Sequence, residues 1–304
     1  MSGNHFYSNS AKQAWVRGLY PRIINNKFSN GSSGQNLLQV GENVSGGYAT
    51  DAIVSDNTFH TASGAAALVI SGSDNVSLSK LKFNIISPGS GVGVISVDNS
   101  NNLTVSDVNV PTAGAGYGLY VIGGTAHKII SGSFSGATSG IMLQNGSSAT
   151  VGEAVKCFNN TYSGLSLSSF NDVVISGEYY DSQVTKTQDY GIDVGGSNGI
   201  TLLNVYCHDN TVSPITSLAG SYERVRVKRG SNLLSGTFTV GNGTATATIT
   251  NNNADSNMTV IVTPTNAAAA VMFGRVLSIA DGTNFVMQYT ANASGDATFA
   301  YKIV

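Results

Sequence analysis

Charge is what this sequence has least of. Its 304 residues include 17 acidic and 15 basic side chains, 11% of the chain, against roughly 25% in an ordinary soluble domain. A helical bundle would draw about half its residues from Ala, Glu, Lys, Leu and Arg at helical spacing, and that pattern is missing. A net charge of −2 leaves no basic face for nucleic acid. Cysteines number 2, Cys157 and Cys207, too few for a disulfide framework. No apolar run is long enough to span a membrane as a helix. Lys12, Arg17 and Arg22 lie near the start with no apolar segment among them, which argues against a signal peptide. His5, His60, His127 and His208 are scattered, so no metal and no cofactor are expected. Asp189 with Asp193 is the only near approach to a calcium site.

The residues that replace charge are small and polar: 36 Gly and 30 Asn, with Ser and Thr throughout. Hydrophobic residues still make up 41%, too many for a disordered chain.

Two short patterns alternate along the first three quarters. One is Gly followed by an apolar alternation, as in Gly118-Leu-Tyr-Val121, Gly140-Ile-Met-Leu143 and Gly164-Leu-Ser-Leu167. The other follows an Asn- or Gly-rich corner, as in Asn75-Val-Ser-Leu-Ser79 and Asn102-Leu-Thr-Val-Ser106. One apolar marker per repeat gives Ile24, Val54, Leu78, Val105, Ile130, Val151, Ile175, Leu202 and Val227, with steps of 21 to 30 residues. Val151 is ambiguous, because Thr150-Val-Gly-Glu-Ala-Val155 permits two registers. Period-2 strands recurring about every 25 residues with no helical half predict an all-β protein, a parallel β-helix of about eight to nine coils over 1–230. Coils about 4.8 Å apart would stack to roughly 40 Å. Asn and Gly suit the corners because both tolerate the left-handed backbone that a sharp turn needs.

From 231 to 304 the period is lost. Five or six antiparallel strands are expected: 237–240, 244–250, 258–263, 271–279, 284–290 and 297–304. Turn signals such as Gly241-Asn-Gly243, Asn251-Asn-Asn253 and Asp281-Gly282 separate them. Only Asp255, Arg275, Asp281, Asp296 and Lys302 are charged there. A small C-terminal antiparallel β-sandwich with so little charge is expected to hide surface in an oligomer.

A β-helix of Asn/Ser/Gly-rich coils followed by such a sandwich resembles bacteriophage tailspikes and tail-fibre depolymerases of the pectate-lyase-like, right-handed type. The coil pattern Tyr190-Gly-Ile-Asp-Val-Gly-Gly-Ser-Asn-Gly-Ile-Thr-Leu202 is shared with pectate lyases and polygalacturonases. Met258-Thr-Val-Ile-Val-Thr-Pro-Thr-Asn266 and Ala297-Thr-Phe-Ala-Tyr-Lys-Ile-Val304 look like phage tail C-terminal sandwiches. The resemblance implies a virion-tail homotrimer, joined along the helix face and locked by the C-terminal domain. It also implies recognition of a bacterial surface polysaccharide. Tailspikes usually carry a virion-attachment head, whereas Met1-Ser-Gly-Asn-His-Phe-Tyr7 already reads as coil, so the head and early coils are expected to be missing. A non-enzymatic adhesin or shaft segment, or a polysaccharide lyase, stays open beside hydrolysis.

Three places could carry chemistry. The densest aromatic stretch holds Glu178, Tyr179, Tyr180 and Asp181, then the polar loop 182–189 and Tyr190, and one coil later Tyr206, His208 and Asp209. Acids for proton transfer beside rings for a pyranose make Glu178, Asp181 and Asp209 the preferred catalytic residues, and Tyr179, Tyr180, Tyr190, Tyr206 and His208 the saccharide contacts. A second choice is Asp107 with Glu153, two coils apart across Gly132 in the corner column Asp56, Lys80, Asp107, Gly132, Glu153, Gly177, Asn204, Arg229. Their separation of about 9.6 Å is near the upper end used by inverting glycosidases, though a solvated corner explains them equally. Trp15, Arg17, Tyr20 and Arg22 could grip an acidic sugar or cap the open end of the helix. Cys157 and Cys207, about 10 Å apart by register, are expected as free thiols. Val69, Ser96, Tyr120, Met142, Ser166 and Asp193 are expected to point outward as a partly apolar stripe facing a partner.

Overall fold

The protein is described from a computed structural model. It describes residues 1–304 apart from 8–13, 30–33, 42–48, 61–63, 85, 113, 217–221, 228–234, 251–259, 271–273, 281–283, 290–294 and 304. Arg229 and the turns at Asn251 and Asp281 therefore lie outside the described residues. The chain forms two compact units, Met1–Thr216 with Gly220–Arg229, and Ser217–Ala219 with Gly230–Val304.

The first unit is a parallel β-solenoid of about 8 turns. One wall is a 9-stranded sheet running from Ala14–Val16 to Ser213–Ile215, a 14-stranded sheet forms most of the rest, and Gly18–Leu19 pairs with Ala49–Thr50 in a small parallel sheet of the early coils. In the early coils that larger sheet is broken by a tight corner, where Asn25, Asp56, Lys80 and Asp107 hold φ between 51 and 56°. From Thr125–Ser135 onward the two short strands fuse into one long strand per coil.

Period-2 alternation buries one side of each strand. Phe6, Phe28, Phe59 and Phe83 stack inward at 4.7 to 5.0 Å between ring centroids. Buried amides ladder along the same axis. Asn57 Nδ2 donates to the carbonyls of Ile23 (2.7 Å) and Ser55 (2.8 Å), while its Oδ1 accepts from Asn26 N (2.8 Å) and Nδ2 (3.0 Å).

The marker column is right in its interior and wrong where apolar neighbours adjoin. Val54, Leu78 and Val105 pair in succession, and Val151 pairs with Ile129 and Ile175. Ile23, not Ile24, stands opposite Val54, and Ile129, not Ile130, opposite Val105. Two adjacent isoleucines give no parity, and a one-residue slip flips a side chain to the other face. Ile129 is fully buried and Ile130 is 50% exposed. At the last coil Leu202 faces Val225, not Val227, because the register shifts between Leu202 and Val205.

That correction moves the corner column. Ser131, not Gly132, follows Asp107, and its Oγ donates to Asp107 Oδ1 at 3.0 Å while accepting the Asp107 N–H at 2.8 Å. Glu153 falls in a register shift and its Oε1 accepts from Asn204 Nδ2 at 2.6 Å. Asp107 and Glu153 thus do not face each other across an empty glycine.

In the second unit, Ser235–Val240, Ala297–Ile303 and Val260–Pro264 form one three-stranded antiparallel sheet. Thr246–Thr250, Asn284–Tyr289 and Gly274–Ala280 form another. Their inner faces share one core, with Tyr289 stacked on Phe299 at 4.8 Å and Phe285 edge-on to Tyr301 at 5.2 Å. A short helix, Ala267–Ala270, was not anticipated. Asn266 Oδ1 caps it by accepting the Ala269 N–H at 3.0 Å, a local bond that a strand-period reading does not register.

Candidate functional site

Three late strands, Ser147–Phe158, Asn171–Tyr180 and Ile200–His208, run side by side and sort the predicted residues by parity. Cys157, Tyr179 and Cys207 form the inward column. Lys156, Glu178 and Tyr206 form one neighbouring column, and Phe158, Tyr180 and His208 the next. Gly177 lets the strand bend just before Glu178. Its φ is +109°, and a Cβ there would come 2.6 Å from the Val155 carbonyl oxygen.

Glu178 is held from both sides. Its Oε2 is 2.8 Å from Lys156 Nζ and its Oε1 3.9 Å from His208 Nε2. The carboxylate holds the Lys156 ammonium above its ordinary value, chiefly by accepting its hydrogen bond. His208 Nδ1 donates to Asp209 Oδ2 at 2.7 Å, while its Nε2 is buried without a hydrogen-bond partner. That bond keeps Asp209 below the usual carboxylate range, with Lys186 adding to it. The Tyr180 ring lies parallel between Phe158 (5.4 Å) and His208 (4.8 Å), and Tyr206 leans on His208 at 4.5 Å. These ring faces are thus turned largely toward one another, so the column presents ring edges outward, not the open faces expected for sugar stacking.

Tyr179, Asp181 and Tyr190 do not join this cluster. Tyr179 is fully buried and donates through its hydroxyl to the Ser176 carbonyl at 2.7 Å, because its parity is that of the two cysteines. Asp181 is also fully buried. Burial alone would raise its pKa, but backbone N–H groups of Gln188, Thr187 and Gln183, with Lys186, hold the carboxyl below its usual value. It anchors the 182–189 loop and presents no proton to a ligand. Tyr190 lies on the 9-stranded sheet, edge-on to Tyr162 at 5.3 Å. Lys156 and Phe158 were missed. The signal was their parity one coil before Glu178 and Tyr180.

The other candidates divide as well. Trp15 projects from the outer side of the 9-stranded sheet opposite Gln39, 44% exposed, with the Arg17 guanidinium 3.6 Å from its ring. It does not cover an open end, because Ala14 and Val16 on either side take the inward register of Leu38 and Val40. The column Val69, Ser96, Tyr120, Met142, Ser166, Asp193 keeps its expected register, but it is half-buried, with Ser166 at 5% exposure. Asp193 accepts from Tyr162 (3.0 Å), Ser166 (3.3 Å) and Thr216 (2.9 Å), and Asp189 from Thr211 (2.8 Å). Among the described residues no group of three His, Cys, Asp or Glu is placed to hold a metal.

No protein-family model and no curated protein matches the sequence. Solved structures do match. One is the A-module of the mannuronan C-5 epimerase AlgE4 of Azotobacter vinelandii, with a TM-score of 0.40 and 10% identity over 75% of this chain and 79% of that one. Another is the tailspike gp61 of Pseudomonas phage phi297, with a TM-score of 0.26 and 12% identity over 94% and 67%. A third is the gp54 tailspike of Acinetobacter baumannii bacteriophage AP22, in complex with A. baumannii capsular saccharide, with a TM-score of 0.20 and 9% identity over 93% and 64%. This chain spans about two thirds of the length of those two tailspikes.

Proposed function

We propose that this chain is a tailspike-like protein of a phage virion tail, and that it binds a bacterial surface polysaccharide along its late coils and hydrolyses it there. The observation that carries the reading is the convergence of Glu178 and Asp209 on His208. The imidazole links the two carboxylates, Glu178 Oε1 lying 3.9 Å from Nε2 and Asp209 Oδ2 2.7 Å from Nδ1, so an acid and a base stand side by side. Asp209, kept ionised by its bond from His208, is the base that activates water. Glu178, protonated from solvent as its Lys156 ion pair opens, gives that proton to the glycosidic oxygen, which leaves as a hydroxyl, while the attacking water loses its proton to Asp209 as its oxygen bonds to the anomeric carbon. Lys156 orients Glu178 and is available to a carboxylate on the glycan. Tyr206 and the edges of Phe158 and Tyr180 supply apolar contact for pyranose C–H groups.

Incubation with capsule or lipopolysaccharide from a candidate host tests this reading. New reducing ends without an ultraviolet-absorbing unsaturated product mean hydrolysis, and Glu178→Gln is expected to lower their release by about 10²–10⁴-fold. An unsaturated product would replace hydrolysis by elimination. Binding with no cleavage would make the chain an adhesin.

We also propose a homotrimer joined through the coils and the second unit. Its support is the five charges in the last 74 residues, together with Ile261 and Leu277 at 50% and 49% exposure. A stable monomer of 31.3 kDa in solution would overturn the assembly.

A further inference from the structure

A second groove lies in the early coils, away from Glu178. It is an open depression of about 660 Å³ where the corner column meets the next outward column. Asp56, Lys80, Asp107, Lys82, Asn84 and Asn109 line it, over a floor of Leu81 and Phe83. Lys82 pairs with Thr58 on one side and Asn109 on the other, so it stands in mid-groove. Lys80 occupies the coil between Asp56 and Asp107, and the preceding serines, Ser55, Ser79 and Ser106, pair in register. A volume of this size matches a small-ligand site.

Two features of the lysines bear on what the groove could hold. Among the described residues neither forms an ion pair, although carboxylates stand one coil below and one coil above. Lys80 also takes a left-handed φ of 51° at a corner where Asn25, Asp56 and Asp107 are its counterparts. Asn and Asp tolerate that conformation with a local hydrogen bond, whereas a lysine there is strained for no gain in packing. Tyr20, Ala126, Ser148 and Ser169 adopt the same conformation elsewhere, so what points to use is that Lys80 is, among the described residues, the one Lys or Arg held this way.

We infer that this groove binds an acidic saccharide unit, with Lys80 and Lys82 on its carboxylate and Asp56, Asp107, Asn84 and Asn109 on its hydroxyls. The inference rests on the reading of the chain as a polysaccharide binder and specifies the class, a glycan that carries uronic or similar acids. The mixed lining sets this ligand apart from nucleic acid. No exposed ring lines the groove to stack a base, and two lysines make no basic track for a phosphate backbone. An acidic sugar carries both groups that such a lining satisfies, a carboxylate for the ammonium ions and hydroxyls for the carboxylates and amides.

Calorimetric titration of the full chain with a galacturonic acid hexamer, and with maltohexaose as the neutral probe, tests this. The acidic hexamer is expected to bind more tightly than the neutral one and to weaken as salt is raised. Lys82→Gln and Lys80→Asn should each lower its affinity about tenfold or more. Lys80→Asn should also raise Tm by about 2 °C, because it relieves the left-handed corner, so its loss of binding cannot be misfolding. Equal affinity for the two hexamers, unchanged affinity in both variants, or no binding of the acidic hexamer up to about 10 mM would overturn the groove. Glu178→Gln should leave this binding intact. Hexamer affinity unchanged in both lysine variants, with cleavage still lost in Glu178→Gln, would therefore overturn the groove and leave the late-coil reading standing.

Discussion

His208 and Asp209 are neighbours in sequence, yet His208 Nδ1 and Asp209 Oδ2 are 2.7 Å apart. In an extended strand successive side chains point to opposite faces. Asp209 has a φ of 59°, and this left-handed turn at the strand end swings its carboxylate back toward the imidazole. The pairing depends on backbone conformation as much as on the two residue types.

The pH profile of cleavage should report that pair. Asp209 is depressed first by the His208 bond, so the acid limb of the wild-type rate lies below the ordinary carboxylate value near 3.9. His208→Gln removes the imidazole and should move that limb upward while lowering the rate about 10²-fold. A limb that stays in place would show that Asp209 does not set it.

Asp181 should matter to stability. Its folded pKa lies below its unfolded one, so the stability it contributes is present above about pH 4 and is lost as pH falls through the folded value. Asp181→Asn turns a donor toward buried N–H groups and should cost about 2 kcal/mol, with a flatter dependence of stability on acid. Urea unfolding at several pH values, with proteolysis of the 182–189 loop, measures both effects.

Cys157 and Cys207 flank Tyr179 in the bore, and burial pushes both thiols well up. Ellman's reagent should find no reactive thiol in the native chain and two in denaturant. Tyr179→Ala leaves a ring-sized void and should cost about 3–5 kcal/mol, whereas Tyr179→Phe loses only the bond to Ser176 and should cost about 1 kcal/mol.

Asn57 makes four bonds within the core. Asn57→Ala should lower stability by about 2–3 kcal/mol, by leaving the Asn26 N–H and the Ile23 carbonyl without partners. Asn75 bonds at an exposed corner instead, and Asn75→Ala should cost less than half as much.

Much of the fold was legible because a solenoid repeats its instructions. Each coil restates the alternation, so an error at Ile24 or Ile130 does not spread to Leu78 or Ile175. The strands of the second unit were legible for the same reason of period and turn, although its Ala267–Ala270 helix was not. The candidate site was legible only in part. Glu178, Tyr180, Tyr206, His208 and Asp209 come together with Tyr180, not the expected Asp181, in register with His208, whereas Tyr179 follows the opposite parity inward and Asp181 folds back under its own loop.

The sequence by itself determined the coil repeat and its replacement by antiparallel strands toward the C-terminus. A period of two and a step of about 25 are properties of the chain that survive without any contact. Only the tertiary structure decided which of two adjacent isoleucines enters the bore, that Ser131 fills the place expected for Gly132, and that Asp209 turns back to His208. Those outcomes depend on bulges and left-handed corners, where one residue's φ overrides alternation and hydrophobicity alone cannot choose a face.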